Sequence, residues 1–345
     1  MTVRIAINGF GRIGRNFVRS LIDRQRAGEL SQPIEVVAVN DLGDLDTLAH
    51  LLRYDSVHGS PSWTVETNDS GLELDGHKVQ VFSERNPADL PWGELGVDVV
   101  IESTGVFTKR DGASKHLDAG ARRVVISAPS GDCDATFVIG VNDELYNPAT
   151  DLIVSNASCT TNCLAPMVKV LDDAFGIDSG MITTVHAYTG DQAIVDAPHR
   201  DLRRARAAAV NVVPTSTGAA RAIGLVMPHL AGKLDGMAMR VPIPNGSVTD
   251  FVGQVRANAT VEDVNAAFEA AATEGPLAAV LDYSTAPLVS SDIVGTSASC
   301  TFDSGLTMVM PNASGDGATV KIAGWYDNEW GYSNRLVDLV ARITD

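Results

Sequence analysis

The chain has 345 residues, 45% of them hydrophobic and 20% charged, which is ordinary for a soluble globular protein but too long for one core of usual size; two domains are expected. Its 43 acidic against 26 basic residues leave a net charge of −17, so a polyanionic partner is disfavoured and nucleic acid would need a concentrated basic patch. Four cysteines do not make a disulfide framework in so long a chain, "MTVRIAING" has no apolar leader pattern, and no window offers ~18 consecutive apolar residues, so a cytoplasmic chain with reduced thiols and no membrane span is expected.

The predicted elements begin with a short apolar strand, Val3 to Ile7, ended by Asn8-Gly9. A helix follows, with Ile13, Phe17, Val18, Leu21 and Ile22 near one face. Further apolar runs span 34–40, 97–104, 122–129 and 152–158, separated by longer segments. Such runs bounded by turn residues predict buried strands of a mostly parallel sheet. After residue 158 the alternation stops. "GMITTVHAY", "GMAMRVPIP" and "SVTDFVGQVRA" are longer and more alternating, which predicts a mixed or antiparallel sheet with helices on one face. "TVEDVNAAFEAAATEG" predicts a helix opened by a Thr260/Asp263 capping box, and "SNRLVDLVARI" a last amphipathic helix. The fold class is therefore α/β: a Rossmann-type parallel-sheet nucleotide domain, 1–158, an α+β catalytic domain, 159–327, with a mixed sheet, and a last helical segment, 328–345.

Gly9, Gly11 and Gly14 have the G-x-G-x-x-G spacing between the first strand and the first helix. Glycines there permit a tight turn and let the backbone approach a pyrophosphate, which the helix N-terminus then binds. Asp41 stands at the end of the second strand, where a carboxylate accepts hydrogen bonds from a ribose and repels a 2′-phosphate; this favours NAD over NADP. Its separation from Gly14 exceeds the usual ~20 residues, and the polar stretch "RQRAGELSQP" accounts for the excess.

"SNASCTTNCLAP" places Cys159 at the start of a predicted helix, with Asn156 or Ser158 as caps. A helix N-terminus and a nearby imidazole both favour a thiolate, yet a single buried cysteine taken alone is more often inert packing. Cys163 lies deeper in the same helix, and nothing marks Cys133 or Cys300 for chemistry. His186, in "TTVHAYTGDQ", is the leading candidate base. No C-x-x-C or H-x-x-x-H pair anchors a metal site, and no metal is expected.

Taken together, "INGFGRIGR", "YDSVHG", "ESTGVF", "ISAPS", "SNASCTTNCLAP", "TTVHAYTGDQ", "DLRRARAAAVNVVPTSTGAA", "GKLDGMAMRVP" and "WYDNEWGYSNR" closely resemble the phosphorylating glyceraldehyde-3-phosphate dehydrogenases over nearly the whole length. The resemblance implies NAD-dependent oxidation of D-glyceraldehyde 3-phosphate, with inorganic phosphate, to 1,3-bisphosphoglycerate through a thioester on Cys159, with His186 moving the proton. It implies that Arg12 and Ile13 offer backbone N–H groups to the pyrophosphate, and that Arg85, Ser127 and Asn328 make further cofactor contacts. Thr189 and Arg240 would hold the substrate phosphate. Ser158, Thr160, Thr217 and Gly218 would hold the attacking phosphate, with Arg204 contributing. It also implies a homotetramer, with "HRDLRRARAA" at a subunit contact, and a last helix, from about Ser333, packed on the nucleotide domain. "MPNASGDGATVKIAG" is longer than the family pattern and reads as a polar surface loop. Ala197-Pro198 stands where NAD-preferring relatives often have Leu-Pro. The competing readings are an erythrose-4-phosphate dehydrogenase, which typically lacks the threonine at Thr189 and the Thr217-Gly218 pair, and a binding protein with catalysis lost, which would not keep Cys159, His186 and Arg240 intact.

Overall fold

The computed structural model describes residues 2–69, 71–313 and 315–345. The chain divides into two compact units.

The first unit is Met1–Phe137, Asp143–Ala157 and Ser333–Asp345. Its strands are β1 (Val3–Asn8), β2 (Ile34–Asn40), β3 (Val65–Asn68), β4 (Gly71–Leu74), β5 (His77–Phe82), β6 (Val99–Glu102), β7 (Arg123–Ile126), β8 (Ala135–Thr136) and β9 (Ile153–Ser155). They form one sheet in the order β3-β4-β5-β2-β1-β6-β7-β9-β8. From β5 to β8 every pairing is parallel, whereas β3-β4-β5 is an antiparallel edge. Helix α1 (Arg12–Ala27) buries Phe17, Val18 and Leu21, and β1 buries Ile5 and Ile7. It ends at Gly28 in the left-handed region (φ 72°), where a residue without Cβ meets no penalty. Helix α2 (Leu45–Arg53) is capped by the Asp44 carboxylate, which accepts from Thr47 N–H. Two one-turn pieces, α3 (Arg110–Ala113) and α4 (Lys115–Asp118), precede β7.

The second unit is Val138–Asn142 and Ser158–Tyr332. After helix α5 (Cys159–Phe175) come β10 (Ile177–Ala187), β11 (Val213–Ser216), helix α6 (Ala219–Val226), β12 (Leu234–Val241), β13 (Ser247–Val255), helix α7 (Val261–Thr273), β14 (Leu281–Ser284), the short α8 (Ser290–Ile293), β15 (Cys300–Asp303), β16 (Met308–Pro311) and β17 (Ala318–Tyr326). The sheet order is β11-β12-β10-β13-β17-β15-β14, with β16 paired to β17. It is mixed, since β10 runs parallel to β12 and antiparallel to β13. Helix α5 packs on β10, β13, β15 and β17. The Thr260/Asp263 capping box opens α7 as its spacing predicts.

Several boundaries differ from the sequence expectation. The third, fourth and fifth runs shorten to β6, β7 and β9, because their flanks are turns and bends. The hairpin strands β3 and β4 and the neighbouring β5 had no clear signal: Glu66, Glu73, His77, Lys78 and Gln80 give them the polarity of a loop. The division falls before Ser158 rather than after it, since the Ser158 hydroxyl caps α5 by accepting from Thr161 N–H. The segment 328–332 stays with the second unit, where the Asp327 carboxylate accepts from Asn245 and from Gly295 N–H. Val138–Asn142 also belongs there; Gly140 lies so close to Pro276 that a Cβ would stand 2.7 Å from its carbonyl oxygen. The last helix is α9 (Trp330–Thr344), and from Ser333 it belongs to the first unit, where Asp338 pairs with Arg24 at 2.7 Å. In the loop between β16 and β17, Ser314 lies outside the described residues.

Candidate active site

In the first unit the C-terminal ends of β1 and β2 open onto a groove of about 410 Å3 lined by Asn8, Gly9, Gly11, Asp41, Arg85 and Thr104, among others. Gly9 has φ +93°, and a Cβ there would stand 2.6 Å from Thr104 N. A Cβ on Gly14 would stand 2.4 Å from the Gly9 carbonyl oxygen. Both positions therefore exclude a side chain, as the spacing of the glycines requires. Gly11 is the N-cap of α1 and makes no side-chain cap hydrogen bond, and Arg12 and Ile13 are the first residues of the helix. The Arg12 guanidinium is engaged elsewhere, with Asp55 at 2.6 Å. The Asp41 carboxylate is held rigidly: one oxygen accepts from Phe10 N–H at 2.7 Å and the other from Gly43 N–H at 2.9 Å. Each oxygen keeps a second lone pair for a diol. Arg85 is exposed at the rim, and Ser127 stands just past the end of β7. These features fit a dinucleotide: close backbone approach, an uncapped helix start, and a carboxylate at the end of the second strand.

In the second unit, Cys159 is the first residue of α5 and His186 is buried near the end of β10. Ala157, just before the cap, has φ 55°, a left-handed conformation unusual for a residue with a side chain. Cys159 Sγ lies 3.4 Å from His186 Nε2. His186 Nδ1 is 2.6 Å from the Ala187 carbonyl oxygen, which can only accept. Nδ1 therefore carries the hydrogen and Nε2 presents its lone pair to the thiol. Burial pushes the thiol up to about 11, opposed by Arg240 and by the N–H and hydroxyl of Thr160. Burial also pushes the imidazole down to about 3, and Arg240 adds to this. Each charge alone is disfavoured, so ionisation is a transfer inside the pair, from Sγ to Nε2.

Arg240 is in register with His186 across the parallel β10–β12 pair. Its Nη1 donates to Thr189 Oγ1 at 2.8 Å and to the Ala187 carbonyl at 3.2 Å. Its Nε is buried without a hydrogen-bond partner. The Thr189 hydroxyl in turn donates to Asp191, whose other oxygen accepts from Arg204 at 2.7 Å. Arg204 also donates to Thr215 at 2.9 Å. Ser158 uses its hydroxyl on Thr161, with N–H···O at 3.1 Å. Thr217 Oγ1 accepts from Ala219 N–H at 3.2 Å, and Gly218 is the exposed residue before α6. The side chain of Thr160 departs from its expected phosphate role, leaving the backbone N–H for it. The residue is 4% exposed, and its hydroxyl meets Tyr326 OH at 2.9 Å, so the side chain serves the sulfur and the core. Asn328 is 4% exposed; its Oδ1 accepts from Ser247 at 2.8 Å, which leaves Nδ2 as the donor end.

Three residues of this site lie in the quoted motifs but were not singled out from the sequence. Tyr326 bridges Thr160 and Thr184, at 2.9 and 2.7 Å, and meets the His186 ring edge-on at 5.9 Å. Asp191 joins Thr189 to Arg204. Thr184 is buried two residues before His186 on the same strand face. The other cysteines do not join the site: Cys163 is fully buried with its thiol toward the Gly324 carbonyl, Cys300 is fully buried, and the Cys133 thiol lies 3.2 Å from the Ala135 carbonyl. Among the described residues no His/Cys/Asp/Glu group could hold a metal ion.

Comparison with known proteins agrees with both halves of this picture. The family model described as glyceraldehyde 3-phosphate dehydrogenase, NAD binding domain, matches residues 3–110, and that described as glyceraldehyde 3-phosphate dehydrogenase, C-terminal domain, matches residues 158–328. The chain is 59% identical over 343 residues to the glyceraldehyde-3-phosphate dehydrogenase of Streptomyces coelicolor, covering 99% of each chain. It is 60% identical over 345 residues to that of Mycobacterium avium and 58% identical over 345 residues to that of Mycobacterium tuberculosis, again over 99% of each chain.

Proposed function

The chain belongs to the glyceraldehyde-3-phosphate dehydrogenase family, and we propose that Cys159, His186 and the arginine-rich anion site around them carry out the NAD-dependent phosphorylating oxidation of D-glyceraldehyde 3-phosphate. The observation that carries this reading is the Sγ–Nε2 approach of 3.4 Å, with Nδ1 fixed on a carbonyl and Arg240 alongside.

Cys159 Sγ attacks the aldehyde carbon while its proton passes to His186 Nε2 and on to the carbonyl oxygen, and a hemithioacetal forms. The backbone N–H of Cys159, at the helix start, is placed to donate to the developing oxyanion. His186 then accepts the hemithioacetal hydroxyl proton as the carbon loses hydride, leaving a thioester. NAD supplies the hydride acceptor. Inorganic phosphate attacks the thioester, the C–S bond breaks, and the acyl phosphate leaves with Cys159 restored as thiolate. The covalent step keeps the acyl group activated until phosphate arrives.

Thr189 and Arg240 hold the substrate phosphate; the partnerless Arg240 Nε supports an anion there. Ser158, Thr217 and Gly218, with the backbone N–H of Thr160, hold the attacking phosphate, and Arg204 lies between its Asp191 and Thr215 partners for either. Gly9, Gly11, Arg12, Ile13, Gly14, Asp41, Arg85 and Ser127 hold the dinucleotide, and Asn328 offers Nδ2 to the nicotinamide amide. The protein works as a homotetramer in the cytoplasm. Strongly exposed Ile194 (86%), Leu202 (81%) and Val210 (76%) around the basic segment support a subunit contact there. No helix of the described residues is long and apolar enough to cross a membrane.

The test is NADH formation from glyceraldehyde 3-phosphate with and without inorganic phosphate. Phosphate-dependent turnover that Cys159→Ser abolishes is expected. Turnover independent of phosphate would mean thioester hydrolysis, as in the erythrose-phosphate relative, and would overturn the second anion site.

A further inference from the structure

The groove of the first unit has a buried charged floor that none of these steps uses. Asn40, Asn8 and Glu102 end β2, β1 and β6 and stand in one row across the three parallel strands. All are buried, at 4%, 1% and 2% exposure. Glu84 N–H donates to Asn40 Oδ1 at 2.7 Å, which turns Asn40 Nδ2 toward Asn8 Oδ1, also at 2.7 Å. Asn8 Nδ2 is thereby turned toward Glu102 Oε2, at 2.6 Å. Each amide is oriented by the one before it, and donation runs toward the carboxylate.

A second chain arrives from the other side. Trp92 Nε1–H, which can only donate, gives to His116 Nδ1 at 3.0 Å. Nδ1 therefore holds the lone pair and Nε2 the hydrogen, and Nε2 donates to Glu102 Oε2 at 3.0 Å. Nε2 also stands 3.4 Å from Asn8 Nδ2, both hydrogens directed at the same oxygen. The other carboxylate oxygen accepts from Thr104 N–H at 2.9 Å and from the Thr104 hydroxyl. A carboxylate, an acceptor at both oxygens, matches these donors; an amide in its place would oppose at least one.

Two of the groups so held, Asn8 and Thr104, line the groove beside Gly9 and Gly11. The loop after β6 also touches the glycine turn directly, through Ser103 Oγ donating to the Gly9 carbonyl at 2.7 Å. One carboxylate thus ties the glycine turn to the loop facing it. We propose that Glu102, with His116 as its fixed donor, is a positioning pair for the dinucleotide. It sets the spacing between the glycine turn and Thr104, and so governs NAD affinity rather than the chemistry at Cys159. This rests on the reading that the groove takes NAD.

The test is NAD binding by calorimetry, with steady-state kinetics on the full-length enzyme. Asp41→Asn serves as the groove control: if it leaves the NAD dissociation constant unchanged, the groove reading fails before the pair is judged. Given that control, Glu102→Gln should raise the dissociation constant and the KM for NAD about tenfold, the scale of an opposed buried donor. The KM for glyceraldehyde 3-phosphate and the alkylation rate of Cys159 without NAD should not move. A variant that melts earlier yet binds NAD within about twofold of wild type overturns the proposal, because a merely structural role predicts that outcome. Should Glu102→Gln fail to fold, the His116 pair decides. His116→Gln keeps an Nε2–H donor and should retain affinity, whereas His116→Leu removes it and should lose several-fold. Equal NAD affinity in the two overturns the proposal.

Discussion

Removing the imidazole by His186→Asn isolates what holds the Cys159 thiolate. The two charges would stand 3.4 Å apart, and at an effective dielectric of about 20 they attract by about 5 kcal/mol, or roughly 3.5 pH units. A larger effective dielectric of about 30 trims this to about 2–3 units. Without the imidazolium, the thiol is left to burial, which drives it toward about 11, against Arg240 and Thr160. The sign follows: the thiolate population at neutral pH falls, and its titration moves to alkaline pH. Iodoacetamide alkylation of Cys159 at pH 7 should therefore slow about 100- to 1000-fold, with a rate that climbs steadily above pH 8. Alkylation at pH 7 within about threefold of wild type would refute the shared-proton account and leave Arg240 and the helix start as sufficient for the thiolate.

Tyr326→Phe removes the bridge between the Thr160 and Thr184 hydroxyls in a buried setting and should cost about 1–3 kcal/mol in denaturant unfolding, with the NAD dissociation constant unchanged. Gly14→Ala forces a Cβ to 2.4 Å from the Gly9 carbonyl oxygen, and an overpacking strain of about 1–3 kcal/mol at the groove should weaken NAD about 10- to 100-fold by calorimetry. Asp41→Asn removes the charge that opposes a 2′-phosphate, so kcat/KM with NADP should rise while that with NAD falls; a constant ratio would show that Asp41 does not discriminate. Arg240→Leu should raise the KM for glyceraldehyde 3-phosphate by about 100-fold or more, the scale of a charge-assisted phosphate contact, and an unchanged KM would remove Arg240 from the substrate site.

The residues legible in the sequence are those whose function is local. Gly9, Gly11 and Gly14 bend one turn, Asp41 ends one strand, and Cys159 starts one helix; in each case the chemistry is set by neighbours in the chain. Strand β3 was not legible because, at the sheet edge, it buries only Val65, and β4 because its four residues, Gly71–Leu74, are too few to show a period although Leu72 and Leu74 are buried. Tyr326, Asp191 and the row of Asn40, Asn8 and Glu102 were not legible for another reason. Each acts by meeting a group far along the chain, and no residue type announces such a partner.

The pairing of His186 with Arg240 shows how much rests on register rather than on residue type. Along β10, Ile182, Thr184 and His186 are buried in alternation, so one face of the strand carries the site. The parallel register brings Arg240 beside His186, and the neighbouring pair is Val185 with Met239. A slip of one residue would set Met239 or Val241 beside the imidazole and turn the guanidinium to the opposite face. Thr189 would then lose its 2.8 Å donor, and Cys159 the charge that opposes burial of its thiolate. The antiparallel partner β13 pins β10 on its other side, from Ile177 to Val185, with Phe251 fully buried opposite Ile182. The packing of that central pair, remote from any reacting atom, is what holds the anion site and the base in one place.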